Sequence, residues 1–143
     1  MYHYTECGLD NVWLVNGYQI EEIDGEEYFS IEDADELHRA IGRSLAEKPS
    51  LTGAEVRFLR KELGMSQRVL ALLLGTTEQT MSLWERGSSV PESESRLLKV
   101  LYLEKVDGNV SVNALLERII DLDSREEDRL VFQDTECGWK MAA

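Results

Sequence analysis

The chain has 143 residues, 43% of them hydrophobic and 30% charged, which is typical of a folded globular protein and excludes a disordered one. Its 28 Asp and Glu outnumber its 15 Lys and Arg, so the formal net charge is −13. There is no run of about 18 apolar residues and no basic N-terminal region followed by an apolar core. We therefore expect neither a membrane span nor a secretory signal, and a cytoplasmic location.

The charge is distributed unevenly along the chain. Residues 1–50 carry 3 basic and 12 acidic side chains, net −9, and residues 106–143 carry 4 and 9, net −5. Residues 51–105 carry 8 basic and 7 acidic side chains, net +1. Exposed charges are screened beyond roughly 8 Å at physiological salt, so the local charge counts for more than the total. The middle segment, residues 51–105, therefore repels a polyanion such as DNA less than the two acidic segments do.

The first third of the chain predicts a β-meander followed by a helix. Three runs, VWLV (12–15), YQIEEI (18–23) and EEYFSI (26–31), are separated by Asn-Gly and Asp-Gly, which tolerate the positive φ angles of two-residue hairpin turns. We expect a three-stranded meander. A helix over 33–46 follows from apolar residues at every fourth position, Leu37, Ile41 and Leu45. A lone meander and helix bury too little to be stable, so they must pack on the rest of the chain or on another copy.

Residues 51–105 predict four helices joined by short turns, directly after the helix-breaking Lys48-Pro49-Ser50. Each predicted start has a capping residue or a proline, and glycines mark two of the turns. In chain order these signals are the Thr52–Glu55 capping box before helix 53–63, Ser66 before helix 67–74, Gly75, Thr77 and Gly87 around the third helix, and Pro91 at the fourth. We expect Leu97, Leu98 and Leu101 of the fourth helix to be buried.

The last segment predicts a further helix and a strand. The helix covers Val112–Leu122, where apolar residues recur at helical spacing, and the strand runs from Leu130 to Thr135. The residues Thr-Glu-Cys-Gly occur at 5–8 and again at 135–138. This repetition suggests the hypothesis that both ends of the chain belong to one small sheet. Only two cysteines are present, which predicts neither a zinc ribbon nor a disulfide framework.

The stretch GTTEQTMSLWERG (75–87) has the features of the second helix of a helix-turn-helix. Such a unit needs a tight turn, a small residue where the helices touch, and polar side chains on the exposed face of the second helix. Gly75 would supply the turn, Ala71 the small contact, and Met81 and Trp84 the buried face. The exposed face then holds short polar groups and an amide, where a helix that is only solvated would hold long charged pairs. This favours a helix that reads DNA over a four-helix bundle in which the same helix is only solvated and binds no partner.

The residues LGMSQ (63–67), LGTT (74–77) and WERG (84–87) resemble the phage-repressor/Cro (XRE) class of helix-turn-helix proteins over about residues 52–103. The resemblance implies an α+β, mainly α fold, with a lambda-repressor-like helix-turn-helix bundle behind a small β-meander plus helix. It also implies a homodimer on palindromic double-stranded operator DNA. The implied site residues are the base readers Glu78, Gln79, Thr80, Ser82 and Leu83, the phosphate contact Gln67, and a buried structural ion pair between Arg60 and Glu85.

The chemistry of these residue types suits DNA. A Gln amide matches adenine N6 and N7, a Leu side chain fits a thymine methyl, and a Glu carboxylate accepts from cytosine N4. Phosphates would be held by helix-start amides, neutral hydroxyls and two cations, from the set Ser66, Gln67, Arg68, Thr76, Thr77, Arg86 and Ser88. With so few cations, we expect about two to four neutralised phosphates per monomer and a shallow salt dependence. Dimer avidity would then supply the affinity.

The layout also resembles bacterial antitoxins of the MqsA/HigA type, in which a toxin-binding or zinc-binding segment precedes the helix-turn-helix. We expect an acidic meander and helix at 1–48 for partner binding or dimerisation, a DNA-binding domain at 51–105, and a C-terminal helix and strand at 106–143. The resemblance implies the antitoxin of a type II toxin–antitoxin operon, which autoregulates its promoter and binds a basic toxin protein. MqsA-type proteins carry two CxxC pairs, whereas this N-terminus has only His3 and Cys7, so we expect no metal and no cofactor.

Two alternatives stay open beside the antitoxin. The first is a protein-interaction adaptor whose helix-turn-helix does not read DNA, and the second is a phage-type regulator with no toxin partner. An enzyme is not expected. The sequence shows no paired carboxylates in a plausible cleft, no nucleophile and base constellation, and no phosphate-binding glycine loop.

Overall fold

The computed structural model describes residues 1–108 and 132–141, together with residues 114 and 117. Its elements are, in chain order, β1 (Tyr2–His3), β2 (Trp13–Leu14), β3 (Tyr18–Ile23), β4 (Glu26–Ile31), α1 (Ala34–Ala46), α2 (Gly53–Glu62), α3 (Gln67–Leu74), α4 (Glu78–Glu85), α5 (Glu92–Val106), β5 (Phe132–Thr135) and β6 (Gly138–Met141). The strands form three two-stranded antiparallel sheets, β1–β2, β3–β4 and β5–β6. The predicted α+β, mainly α fold class is confirmed.

Local hydrogen bonds start and stop the helices of the bundle. Thr52 Oγ1 accepts from the Glu55 amide at 3.3 Å, and a Glu55 carboxylate oxygen accepts from the Thr52 amide at 2.8 Å, so the capping box before α2 is confirmed. Ser66 and Thr77 cap α3 and α4 by accepting from the amide three residues on. Gly75 ends α3 at φ 73°, a left-handed conformation that favours glycine.

A single apolar cluster joins the N-terminal part to the helical bundle. Leu9 and Leu45 lie in the same buried cluster as bundle residues such as Leu59. Helix α1 packs on α2 and α5, and it approaches α5 so closely that a Cβ at Gly42 would lie 2.1 Å from the Tyr102 hydroxyl. The N-terminal helix is therefore stabilised by the rest of the chain.

Polar contacts cross the same junction. The His38 ring lies 2.8 Å from the Tyr4 hydroxyl through Nε2 and 2.8 Å from the Glu62 carboxylate through Nδ1. A ring protonated on Nδ1 donates to Glu62 and accepts from Tyr4, whose pKa is raised by burial so that its hydroxyl stays a donor. His38 thus connects the first residues of the chain with α1 and α2.

The strand pairing of the N-terminal part differs from the predicted meander. Trp13–Leu14 pairs with Tyr2–His3, and β3 and β4 form a separate hairpin around Asp24-Gly25, whose φ angles are 54° and 83°. The prediction of a three-stranded meander that includes VWLV was wrong. Ring stacking favours the β1–β2 pairing, because His3 lies on Trp13 at a centroid distance of 4.1 Å, and a second stack of Tyr2 on Phe29 at 4.2 Å brings β1 against β4.

Helix α5 buries part of the predicted face, together with Lys99, which was not predicted to be buried. Leu98 is buried and Leu101 is partly buried, but Leu97 is 41% exposed, so its predicted burial was wrong. The run LLKVLYL offers more than one apolar stripe, and the stripe that packs inward includes Lys99. Lys99 can be buried because its ammonium donates to the carbonyl of Lys48.

The C-terminal end forms a hairpin in which β5 pairs with β6. The predicted strand is confirmed from Phe132 to Thr135, whereas Leu130 and the helix predicted at 112–122, except residues 114 and 117, lie outside the described residues. Both Thr-Glu-Cys-Gly segments form turns that end on a glycine with positive φ, 87° at residue 8 and 100° at residue 138. The hypothesis of one sheet from both ends was wrong, because β1 pairs with β2 and β5 with β6.

Candidate nucleic-acid interface

Helices α3 and α4 form a tight helix-turn-helix. The Thr76 amide donates to the Ala71 carbonyl at 2.9 Å, which closes the turn after Gly75. Ala71 is only 2% exposed, and a small side chain at this buried position lets the two helices approach closely. The predicted turn and small contact are confirmed, and they fix the direction in which α4 leaves α3.

Helix α4 is anchored by one face and open on the other. Met81 is fully buried and Trp84 is 6% exposed, whereas Leu83 is 49% exposed and Gln79 is exposed. The spacing of three and four residues places Gln79, Ser82, Leu83 and Arg86 along one side of the helix. The side chains on this side therefore project away from the core.

Six side chains line one open concave surface with a volume of about 400 Å³. They come from the start of α3 and from the outer side of α4, namely Gln67, Glu78, Gln79, Ser82, Leu83 and Arg86. We call this the concave surface. All six are residues for which the sequence predicted DNA contacts, so the fold brings half of the twelve predicted contacts together.

The other six predicted contacts do not line the concave surface. They are Ser66, Arg68, Thr76, Thr77, Thr80 and Ser88. The Ser66 oxygen accepts from the Val69 amide at 3.1 Å, and its O–H donates to no other described residue, so it can donate to a phosphate. The Thr77 hydroxyl donates to Thr80 Oγ1 at 2.9 Å, so these two side chains are directed towards each other at the helix cap.

The concave surface carries one charge of each sign. Glu78 lies in the first turn of α4, where the helix dipole favours a carboxylate. Arg86 Nε donates to the Ser82 carbonyl at 3.3 Å, so the guanidinium lies along the last turn of the same helix. The two charges cancel, so the concave surface presents hydrogen-bonding groups and an apolar side chain with no net charge.

A buried ion pair holds α4 against α2. Arg60 Nε and Nη2 donate to the two carboxylate oxygens of Glu85, each at 2.9 Å, and Arg60 Nη1 donates to the Met65 carbonyl at 3.0 Å. The side chains are 13% and 4% exposed. A bidentate pair of this kind fixes both distance and direction, so it sets the position of the C-terminal end of α4.

A close contact at Gly53 was not foreseen from the sequence. A Cβ built at Gly53 would lie 2.1 Å from the Trp84 carbonyl oxygen and 3.0 Å from the Glu85 backbone. Only glycine therefore lets the first turn of α2 approach the last turn of α4. The sequence signal was a glycine directly after the cap residue Thr52, a position at which many other residues would serve the helix equally well.

Residues 56–95 match the helix-turn-helix family. The matched span begins in α2, contains the whole of α3 and α4, and ends in α5. This match supports the predicted resemblance of the segment to the XRE-type class of helix-turn-helix. The match supports a DNA-binding transcriptional regulator of this type. No curated protein and no solved structure matches the chain.

Outside the matched span of residues 56–95, the two side chains considered as metal ligands, His3 and Cys7, bond to backbone carbonyls. His3 Nε2 lies 2.6 Å from the Asp10 carbonyl oxygen, and the Cys7 thiol donates to the Tyr4 carbonyl at 3.6 Å. Burial raises the pKa of the Cys7 thiol. Within the described residues, no three His, Cys, Asp or Glu side chains are grouped so that they could hold a metal ion, and no helix is long and apolar enough to cross a bilayer.

Proposed function

We propose that the chain is a sequence-specific transcriptional repressor that places α4 in the major groove of double-stranded operator DNA. The observation that carries the proposal is the outward stripe of Gln79, Ser82 and Leu83 on a helix anchored by Met81 and Trp84. A helix about 10–12 Å in diameter fits a major groove about 12 Å wide. The polar stripe then faces base edges, while the buried side keeps the helix in register.

Each outward side chain is assigned a contact from its chemistry. The Gln79 amide pairs with adenine N6 and N7, Leu83 contacts a thymine methyl, and Glu78 accepts from cytosine N4. The free Ser66 O–H and the first amides of α3 hold a phosphate at that helix start, and Arg86 adds one charged contact. Because cations are few, the affinity for random DNA should be low and should fall only slightly with added salt.

We further propose a homodimer on a palindromic operator. Leu97 and Val100 of α5 are 41% and 54% exposed, and residues three apart lie side by side on a helix. Burial of this patch against the same patch of a second copy gives the two-fold contact that a closed dimer needs. The substitution Val100→Asp should leave a folded monomer, which sedimentation measures, with much weaker operator binding because avidity is lost.

The finer proposal is an antitoxin that autoregulates a type II toxin–antitoxin operon in the cytoplasm, without enzymatic activity. Its support is the acidic segment of residues 1–50, net −9, next to a segment of net +1. Opposite charge steers a basic toxin towards the acidic part and leaves the helix-turn-helix available for DNA. A second candidate is an adaptor that does not read DNA, which the carboxylate of Glu78 at the start of α4 favours because it repels phosphates.

A gel shift with the DNA upstream of the chain's own gene tests the proposal. Leu83→Ala should weaken binding roughly tenfold, because it removes apolar surface from the thymine methyl contact and each buried CH₂ group is worth about 0.8 kcal/mol. Ile20→Ala is the matched control, because Ile20 on β3 is 52% exposed and Leu83 is 49% exposed. No shift at low salt would favour the adaptor. A shift without a small basic reading frame beside the gene would favour a regulator that has no toxin partner.

A further inference from the structure

A second groove lies between residues 9–14 and helix α1, with a volume of about 430 Å³. None of its lining residues belongs to the concave surface. Its walls are mainly apolar, with Leu9, Val12 and Leu14 on the N-terminal segment and Leu37, Ala40 and Ile41 on α1. We call it the α1 groove. Its volume falls within the range of about 300–1,000 Å³ that is typical of binding clefts.

The α1 groove is incompletely covered by the chain itself. Trp13 lines it and stacks on His3, yet 56% of Trp13 remains exposed. Ala40, at the centre of the α1 wall, is also exposed. A large exposed aromatic side chain beside an apolar cleft is typical of protein interfaces, where Trp is enriched among the residues that contribute most to binding.

The charged end of the α1 groove is already neutralised. Lys48 Nζ donates to both carboxylate oxygens of Glu55 at 2.7 Å, and Glu55 is only 2% exposed. The same carboxylate closes the capping box with Thr52. These are the charged residues among the described lining of the groove. Because the one ammonium is paired, the groove offers an anionic ligand no unpaired positive charge.

Among the exposed charged residues next in sequence to the groove lining, acidic residues outnumber basic ones, which are Arg39 and the Asp107-bound Arg43. Asp10 follows Leu9, Glu36 precedes Leu37 on α1, and Glu47 precedes Lys48, and all three carboxylates are exposed. The surrounding segment of residues 1–50 has a net charge of −9. A second copy of the chain would bring the same acidic segment against this one, so charge opposes self-association here. An occupant with an apolar face and basic flanks complements both the walls and the rim.

We propose that the α1 groove is the docking site for a basic amphipathic segment of a partner protein. Apolar side chains spaced at i and i+4 along one face of the segment fill the groove, and Lys or Arg side chains on its flanks meet Asp10, Glu36 and Glu47. The inference rests on the proposed basic partner and names the surface that receives it. DNA binding is measured separately, so a failure of the groove and a failure of the repressor can be told apart.

The test uses the full chain and two fluorescent helical peptides. One has leucines at i and i+4 with lysines elsewhere, and its twin has glutamates in place of the lysines. The variant Ala40→Arg fills the groove and repels the basic peptide, and Ala54→Arg makes the same change at an exposed alanine of α2 that does not line the groove. Fluorescence anisotropy near physiological salt gives each dissociation constant, and circular dichroism and the operator gel shift confirm that both variants are folded.

We expect the lysine peptide to bind at least roughly tenfold more tightly than its twin, and Ala40→Arg to weaken it roughly tenfold while Ala54→Arg changes it less than about twofold. Equal losses in the two variants would show diffuse charge attraction and overturn the proposal. So would equal binding of the two peptides, or no binding of the lysine peptide. Dimerisation that Ala40→Arg abolishes would assign the groove to a second copy and also overturn it.

Discussion

The ion pair between Arg60 and Glu85 gives a quantitative prediction about how α4 is held against α2. Arg60→Met removes three hydrogen bonds, two to the Glu85 carboxylate and one to the Met65 carbonyl. The Glu85 carboxylate, which is only 4% exposed, then has lost its charged partner. Loss of one partner of a buried pair costs about 3–5 kcal/mol, because the other charge stays in a poorly solvated site. For a chain of this size, that loss should lower the Tm by roughly 10 °C or more.

The double variant Arg60→Met/Glu85→Leu separates the ion pair from packing. With both charges replaced by apolar side chains, the stability should return to within about 1–2 kcal/mol of the starting protein. Urea denaturation followed by circular dichroism measures the free energies of unfolding for the two single variants and the double one. A cost below about 0.5 kcal/mol for Arg60→Met, within the range of ordinary surface substitutions, would refute the reasoning.

Three further predictions concern other contacts. Gly53→Ala should displace α4, since its Cβ would lie 2.1 Å from the Trp84 carbonyl oxygen. A gel shift should then show weaker operator binding even at temperatures where the protein stays folded. Unchanged binding would mean that α2 and α4 can move apart without affecting the DNA contact. Glu78→Gln removes a carboxylate that repels phosphates from the concave surface, so filter binding should show a higher affinity for random DNA. An unchanged affinity would place this side chain away from the duplex. Burial raises the pKa of the Cys7 thiol, so mass spectrometry after brief alkylation should find Cys7 modified more slowly than the exposed Cys137, and equal rates would contradict the observed burial.

The sequence predicted the helical bundle well because its signals are local. The caps Thr52, Ser66 and Thr77 bind amides three residues away, and Gly75 ends α3 in a left-handed conformation while its amide bonds to carbonyls of the same helix. Helical periodicity likewise separated the buried Met81 from the outward side of α4. Such features depend on neighbours within one helical turn, so a single sequence is sufficient to place them.

The errors concern contacts between residues far apart in the chain. Strand β1 pairs with β2 across a loop, held by aromatic stacking that no dipeptide signals, and the predicted meander failed for that reason. In α5 only the predicted burial of Leu97 was wrong, and the unpredicted burial of Lys99 depends on a carbonyl 51 residues earlier. The concave surface was predicted as a list of residue types, but which of them line it depends on side-chain bonds such as the one between Thr77 and Thr80.

The central claim is that α4 reads bases through its outward side chains, and the substitution Gln79→Ala tests it most directly. The operator is first selected from a random library, and titrations then compare the original protein and the variant on that operator and on random DNA. We predict a loss of about 1–3 kcal/mol on the operator and almost none on random DNA. Equal losses on the two DNAs would contradict base reading by α4.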